Sequence, residues 1–145
     1  MSDITKAVRA YLLGNSEIAT AVGTRIYPDV LPQRDGQITS DLPACTIEII
    51  SGSSDSALYG GTGLAMQRIS ITIYATTRSA TRSLAEFIRR AMLKLRGQVG
   101  TEHVRCVTCE SRQDLVDPPA DGSNNWRYLH AIDFDVTHGE SAAAV

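Results

Sequence analysis

The fold is decided by a stretch near the N-terminus with the sequence Ala21-Val22-Gly23-Thr24-Arg25-Ile26-Tyr27-Pro28, then Val30-Leu31-Pro32-Gln33, then Leu42-Pro43. Its glycine is placed to end a short helix, and its prolines favour an extended, irregular connection over residues 24–43. At about 20 residues this connection is long for a compact domain unless it carries function. No catalytic chemistry needs residues in this order.

Composition narrows the class of protein further. The 145 residues suit one domain with a single core, and a net charge of −2 excludes a strongly basic nucleic-acid binder. The three cysteines, an odd number, do not make a disulfide framework, so we expect a reducing compartment. The sequence has neither the pattern of a signal peptide nor an apolar run of the ~20 residues that span a bilayer. These features predict a soluble cytosolic product.

Apolar residues at helical spacing predict three helices. The first lies before Gly14, and a second, short helix that Ser16 can cap ends at Gly23. The third spans Ser79 to Arg96 and has the longest apolar stripe, which consists of Ala80, Leu84, Ile88, Ala91 and Leu95. We therefore expect this helix to pack on a sheet through that stripe.

Alternating and β-branched runs predict four strands, over residues 44–50, 64–74, 103–113 and 126–138. The Gly/Ser-rich residues 51–63 predict a long hairpin tip between the first two strands. The order ααββαββ, with short links inside each strand pair, predicts an α+β fold in which an antiparallel four-stranded sheet has helices packed on one face. We assign residues 1–138 to this single domain and residues 139–145 to a flexible C-terminal tail.

The quoted stretch, together with Thr46-Ile47-Glu48-Ile49-Ile50-Ser51-Gly52, resembles the opening of the small tail-completion (tail-terminator) proteins of long-tailed bacteriophages. In that family a helix, Val-Gly-x-Arg-Ile-Tyr-Pro, Leu-Pro-Gln, Leu-Pro and a strand recur in this order. The resemblance continues, as an order of elements, to about His138. The chain departs from the tightest form of the motif in residues 34–41, which lengthen the connection between Gln33 and Leu42.

The resemblance implies a structural virion assembly protein without enzymatic activity. Members of the family form a ring, typically a hexamer, that terminates the tail tube and joins the tail to the head. The implied partners are further copies of the chain, the tail tube protein and a head-completion or neck protein. DNA passes through such a ring without sequence-specific binding, and no membrane is involved. The implied location is the virion tail at the head–tail junction, after assembly in the host cytoplasm.

Two other virion or cytosolic functions stay open at this point. A head-completion or connector protein of the neck has a similar size and also forms rings, as the tail-completion family does. A small cytosolic metal-dependent enzyme would have to use Asp133 with Asp135, or His103 with Cys106 and Cys109. Residues three apart on a strand point to opposite faces ~10 Å apart, which does not suit tetrahedral zinc, and a two-metal site needs further carboxylates. We predict no catalytic residue, no metal site and no cofactor.

Contacts between subunits are predicted on two charged features. The face of the third helix opposite its apolar stripe is rich in arginine and includes Arg82, Arg89 and Leu93, a composition typical of interfaces. A plain solvent-exposed helix face explains the same pattern equally well. An acidic loop around Pro118-Pro119 of a neighbouring subunit could form ion pairs with these arginines. The full set of interface candidates is Arg82, Arg89, Leu93, Asp114, Asp117, Asp121 and, in the hairpin tip, Tyr59.

Overall fold

A six-stranded mixed sheet carries three helices against one face in this computed structural model, which describes residues 3–34, 37–38, 41–57, 60–99, 102–118 and 126–139. The helices are α1 (Asp3–Leu13), α2 (Ser16–Val22) and α3 (Arg78–Leu93). The strands are β1 (Ile26–Pro28), β2 (Gln33–Arg34), β3 (Gln37–Ile38), β4 (Ala44–Ala57), β5 (Gly60–Ala75), β6 (Gly97–Val99), β7 (Glu102–Asp117) and β8 (Arg127–Gly139). The strand order in the sheet is β1-β4-β5-β8-β7-β6, and β2 pairs with β3 separately.

The predicted sheet of four antiparallel strands in the order ααββαββ is wrong. The structure adds β1 and β6 at the two edges, and β1 runs parallel to β4. Both additions are three residues long, which is too short to show an alternating pattern. β1 also ends on Pro28, a residue type that sequence alone places outside central strands. The β4–β5 hairpin is longer than predicted, because both strands continue through Gly/Ser-rich sequence.

The motif near the N-terminus holds the first edge of the sheet in place. The Asn15 side chain, rather than Ser16, caps α2 by accepting hydrogen bonds from two backbone amides, and Gly23 ends the helix at a φ of 62°. The Arg25 guanidinium then donates from Nε to the Pro43 carbonyl at 3.0 Å and from Nη2 to the Ala21 carbonyl at 3.3 Å. The arginine of the motif thus ties the end of α2 to the start of β4, and β1 lies between them.

A second arginine, on α1, forms hydrogen bonds to the same segment. Arg9 donates from Nε to the Ile26 carbonyl at 2.8 Å and from Nη2 to the Thr24 carbonyl at 3.0 Å. Ile26 itself is buried and pairs in register with Cys45 of β4. Because hydrogen bonds from charged donors are the stronger ones, these contacts fix a connection whose sequence is otherwise irregular.

The core lies between the helices and one face of the sheet. Most of the predicted apolar stripe is buried: Leu84 and Ile88 are 3% and 0% exposed and share one apolar cluster with the three buried isoleucines of β5. Ala80 is half-buried, and α3 ends at Leu93 rather than at Arg96, so the buried Leu95 follows the helix. The Tyr11 hydroxyl of α1 donates to the Ala91 carbonyl of α3 at 2.7 Å, which joins the two longer helices. Among the described residues, no helix is both long and apolar enough to cross a membrane.

Candidate subunit interface

A network of charged side chains joins the N-terminal half of α3 to β7 and β8. We call it the polar rim and define it as Arg78, Arg82, Glu86, Arg112, Asp114 and His130. Its three α3 members are four residues apart and lie on one side of the helix. The other three lie on β7 and β8, where Asp114 pairs in register with His130. The rim is therefore built by one helix face and one strand pair.

Arg78 anchors the start of α3 to the sheet. The Thr77 side chain caps the helix by accepting from the Ala80 amide, which places Arg78 at the first helical position. Arg78 Nη1 donates to the Leu129 carbonyl and Nη2 to the Leu115 carbonyl, each at 2.9 Å. Its guanidinium also lies 5.1 Å from the centre of an aromatic ring, that of Tyr128. With so many partners, this arginine has a structural role.

Asp114 is the centre of the rim. Its two carboxylate oxygens lie 3.2 Å from Arg78 Nη1 and 3.1 Å from Arg82 Nη2, and its Oδ1 lies 2.6 Å from Nδ1 of the buried His130. Arg112 donates to His130 Nε2 at 3.4 Å, so the network assigns the ring hydrogen to Nδ1, from which it is donated to Asp114. The hydrogen bond from His130, and then the arginines, hold the pKa of Asp114 below its usual value.

Glu86 continues the rim by one more helical turn. It accepts hydrogen bonds from Arg89 and from Arg90 Nε, the latter at 3.1 Å, and Arg112 Nη2 lies 3.9 Å away. The hydrogen bonds from Arg89 and the surrounding positive charge lower the pKa of Glu86 to about 2. Arginines outnumber carboxylates here, so the neutralised acids leave a net positive surface at the rim.

One exposed apolar side chain lies on the same face of the sheet as this positive surface. Val116 is 48% exposed and points to the same side of β7 as Asp114, whereas Leu115, 38% exposed, points to the opposite side. Trp126, 44% exposed, directly precedes β8. The side chains of Arg82 and Arg90 are each 64% exposed on α3. Because arginine is enriched at protein interfaces, the arrangement can bind a protein surface with acidic groups around a small apolar contact.

The structure places the predicted interface residues differently from the expected intersubunit pairing. Asp114 and Asp117 lie on β7 rather than in a loop, and Asp114 contacts Arg82 of its own chain. Asp117 lies near Arg127 of β8, with Oδ2 3.4 Å from Nε. Arg89 is half-buried against Glu86. The structure therefore pairs the opposite charges of α3 and β7 within one subunit, and a contact of these residues between subunits stays a prediction.

The remaining candidates do not join the rim. Leu93 is half-buried at the last residue of α3. Tyr59 and Asp121 lie outside the described residues. Sequence reasoning missed His130 and Arg112 as functional neighbours, because their pairing depends on the register between β7 and β8. The spacing of two residues between Arg112 and Asp114, which places them on one face of β7, was an available signal.

The residues weighed as metal ligands have ordinary partners on the sheet. His103, Cys106 and Cys109 all lie on β7, as the strand prediction required, with Cys106 exposed and Cys109 half-buried. Asp135 accepts two hydrogen bonds from Arg68, at 2.8 and 3.1 Å, and Asp133 accepts one from Ser111. Within the part of the chain that the structure describes, no group of three or more His, Cys, Asp or Glu side chains could hold a metal ion.

Comparison with known proteins gives one family match and a similar fold. The sequence profile of the family described as tail completion protein gp17 matches residues 6–133. A chain from the virion of a native gene transfer agent (GTA) particle has a similar fold, with a TM-score of 0.63 and 14% sequence identity over 94% of this chain and 95% of that chain. At that identity the likeness concerns the fold. No curated protein matches the sequence.

Proposed function

Since the chain belongs to the tail completion protein family described as gp17, we propose that it is a structural virion component whose ring ends the tail tube and joins the tail to the head. The observation that carries this proposal is the profile match over residues 6–133, which includes the motif held by Arg9 and Arg25. The ring is a homo-oligomer, taken as a hexamer from the resemblance. The role is stoichiometric binding, and no catalytic step is part of it.

The physical task is to occupy the growing end of a polymer. A ring that binds the last layer of tube protein blocks further addition, and its opposite surface then presents a new site to a head-completion protein. DNA passes through the opening of the ring without being read. The head–tail junction of the virion is the location that this task requires. The fold supports the proposal because helices tied to a long-stranded sheet provide a stiff body for such contacts.

The polar rim, together with the neighbouring Arg89 and the exposed Val116, is the contact surface that we assign to a partner subunit or tail protein. Arg82 and Arg89 each balance a carboxylate of their own chain, Asp114 and Glu86 respectively. Their donors, with Val116, suit a partner that has acidic groups around a small apolar side chain. A single exposed ion pair contributes about 0–1 kcal/mol, so several must be changed together to detect the surface.

The proposed role is tested by tail-tube polymerisation in vitro. The cognate tube protein is assembled with increasing amounts of this chain, and tube lengths are measured by electron microscopy. We expect tubes to shorten, with this protein found at tube ends, at ratios well below one chain per tube subunit. Tubes of unchanged length with no bound protein at their ends would overturn the proposal.

This contact surface is tested by the double variant Arg82→Glu with Arg89→Glu; Arg82 lies within the rim, and Arg89 contacts the rim residue Glu86. Each glutamate faces a carboxylate of its own chain and repels an acidic partner, so we expect weaker assembly from a chain that keeps its circular dichroism spectrum. The matched control, Lys6→Glu with Lys94→Glu, reverses the same number of charges at exposed lysines outside the rim and should assemble normally. Equal assembly of both double variants would remove the rim as a contact surface while leaving tube termination untouched.

A further inference from the structure

The outermost strands of the sheet are much shorter than the strands they cover. β1 and β6 have three residues each, whereas β4 has 14 and β7 has 16. Pairing between β1 and β4 ends at Ile47, and pairing between β6 and β7 ends at Val104. Within the described residues, two stretches therefore have a strand partner on one side alone. We call them the β4 edge (residues 48–57) and the β7 edge (residues 105–117).

Both edges carry exposed apolar side chains. Ile49 and Ile50 on the β4 edge are 37% and 47% exposed, and Leu115 and Val116 on the β7 edge are 38% and 48% exposed. These are four of the seven large apolar side chains that are exposed in the described part of the chain. Free backbone donors and acceptors beside apolar side chains form a template for the addition of another strand. Edges of this kind are ordinarily protected or paired.

The directions of the two edges fit each other in a second copy of the chain. Three antiparallel pairings separate β4 from β7 in the sheet, so the two strands run in opposite directions. Rotation of a copy about an axis along the strands keeps all directions, and therefore places its β4 antiparallel to the first copy's β7. A cyclic ring needs two different patches on each subunit, and these edges lie on opposite sides of one sheet. A closed ring of this kind leaves neither edge open.

Bulges limit where such pairing can form. The register of β4 shifts between Ile49 and Ser51 and again between Ser54 and Ser56. That of β7 shifts near residue 105 and between Cys109 and Ser111. Bulges interrupt continuous pairing. The longest uninterrupted part of the β7 edge is residues 111–117, and this is the part that carries both of its exposed apolar side chains.

We propose that subunits of this protein join head to tail by strand addition, with residues 111–117 of one copy antiparallel to the β4 edge of the next. The inference rests on the proposed ring and names the contact that closes it. The occupant is a second copy rather than an unrelated strand, because a single type of contact, repeated around the ring, pairs both edges of every copy. An unrelated partner on either edge would leave the other edge open.

The test uses two lysine variants of the full chain, Ile50→Lys on the β4 edge and Val116→Lys on the β7 edge. Natural proteins often carry lysine on edge strands, where it prevents pairing with another strand. Because both positions are about half-exposed, the fold should tolerate the substitution. Each variant alone should lose the oligomer that the wild type forms, because every contact between its subunits includes one altered edge. In an equimolar mixture, the intact β7 edge of Ile50→Lys can pair with the intact β4 edge of Val116→Lys. The mixture should therefore form heterodimers and grow no further, because the two edges left over are both altered.

Native mass spectrometry with one variant labelled with ¹⁵N distinguishes heterodimers from homodimers. Met66→Lys is the matched control, since Met66 is 45% exposed on the central strand β5, and it should assemble like the wild type. If a lysine variant fails to fold by circular dichroism, Ile50→Asn and Val116→Asn replace the pair, because asparagine is uncharged but disfavoured in strands. Lysine variants that oligomerise normally, or a mixture that stays monomeric, overturn strand addition while the ring stands. A wild type that is itself monomeric overturns the proposed ring instead.

Discussion

Replacing Arg25 by alanine tests whether the motif near the N-terminus works as a structural clamp. The substitution removes the hydrogen bonds from Arg25 to the carbonyls of Pro43 and Ala21, at 3.0 and 3.3 Å. A hydrogen bond that involves a charged group contributes about 1.5–3 kcal/mol, and the half-buried position lets water replace part of it. We therefore expect a loss of about 2–3 kcal/mol in the free energy of unfolding, measured by urea denaturation with an unchanged slope.

A matched control is available at the end of α3. Arg96 is exposed, and its replacement by alanine should change the free energy of unfolding by less than about 0.5 kcal/mol. Arg9→Ala should resemble Arg25→Ala, because Arg9 donates to the carbonyls of Ile26 and Thr24 in the same segment. A loss for Arg25→Ala no larger than that for Arg96→Ala would refute the clamp and leave the motif without a physical explanation.

Three further predictions concern the core, the rim and the cysteines. Ile88→Ala should lower the free energy of unfolding by about 2–5 kcal/mol, because its side chain is fully buried and leaves a cavity; a near-neutral result in denaturant would mean that the wrong face of α3 is inside. The free energy of unfolding should fall as the pH is lowered from about 4.5 towards 2, because the pKa of Glu86 is depressed to about 2 and that of Asp114 is also lowered. In the variant Glu86→Gln, the free energy of unfolding should depend less on pH over the same range. Iodoacetamide should modify the exposed Cys106 within minutes but spare Cys45, because burial raises the pKa of the Cys45 thiol to about 12. The modified cysteines are identified by mass spectrometry, and rapid modification of Cys45 would contradict its burial.

The helices and the central strands could be predicted from the sequence, because their apolar residues recur at the spacing that buries one face. The apolar spacing from Leu84 to Ala91 predicted the inward face of α3, and the alternation of Ile69, Ile71 and Ile73 predicted that of β5. Edge strands gave no such pattern. β1 is fixed by arginine contacts and by pairing with β4 rather than by its own apolar spacing, so the parallel edge could not be predicted.

The rim was predicted in part, through opposite charges on α3 and β7. Asp114 was expected in a loop because Pro118 and Pro119 follow it closely, yet β7 continues to Asp117. That extension brings Asp114 under α3, where Arg82 reaches it within one chain. Whether an ion pair forms inside a subunit or between subunits depends on strand register and helix position, which a charge pattern does not contain.

The closed ring is tested most directly by native mass spectrometry of the wild-type protein over a dilution series. We predict one closed species that persists on dilution and whose mass is six times the 15.7 kDa of the chain. A monomer at every concentration, or an open-ended series of oligomers without a dominant closed species, would contradict the account.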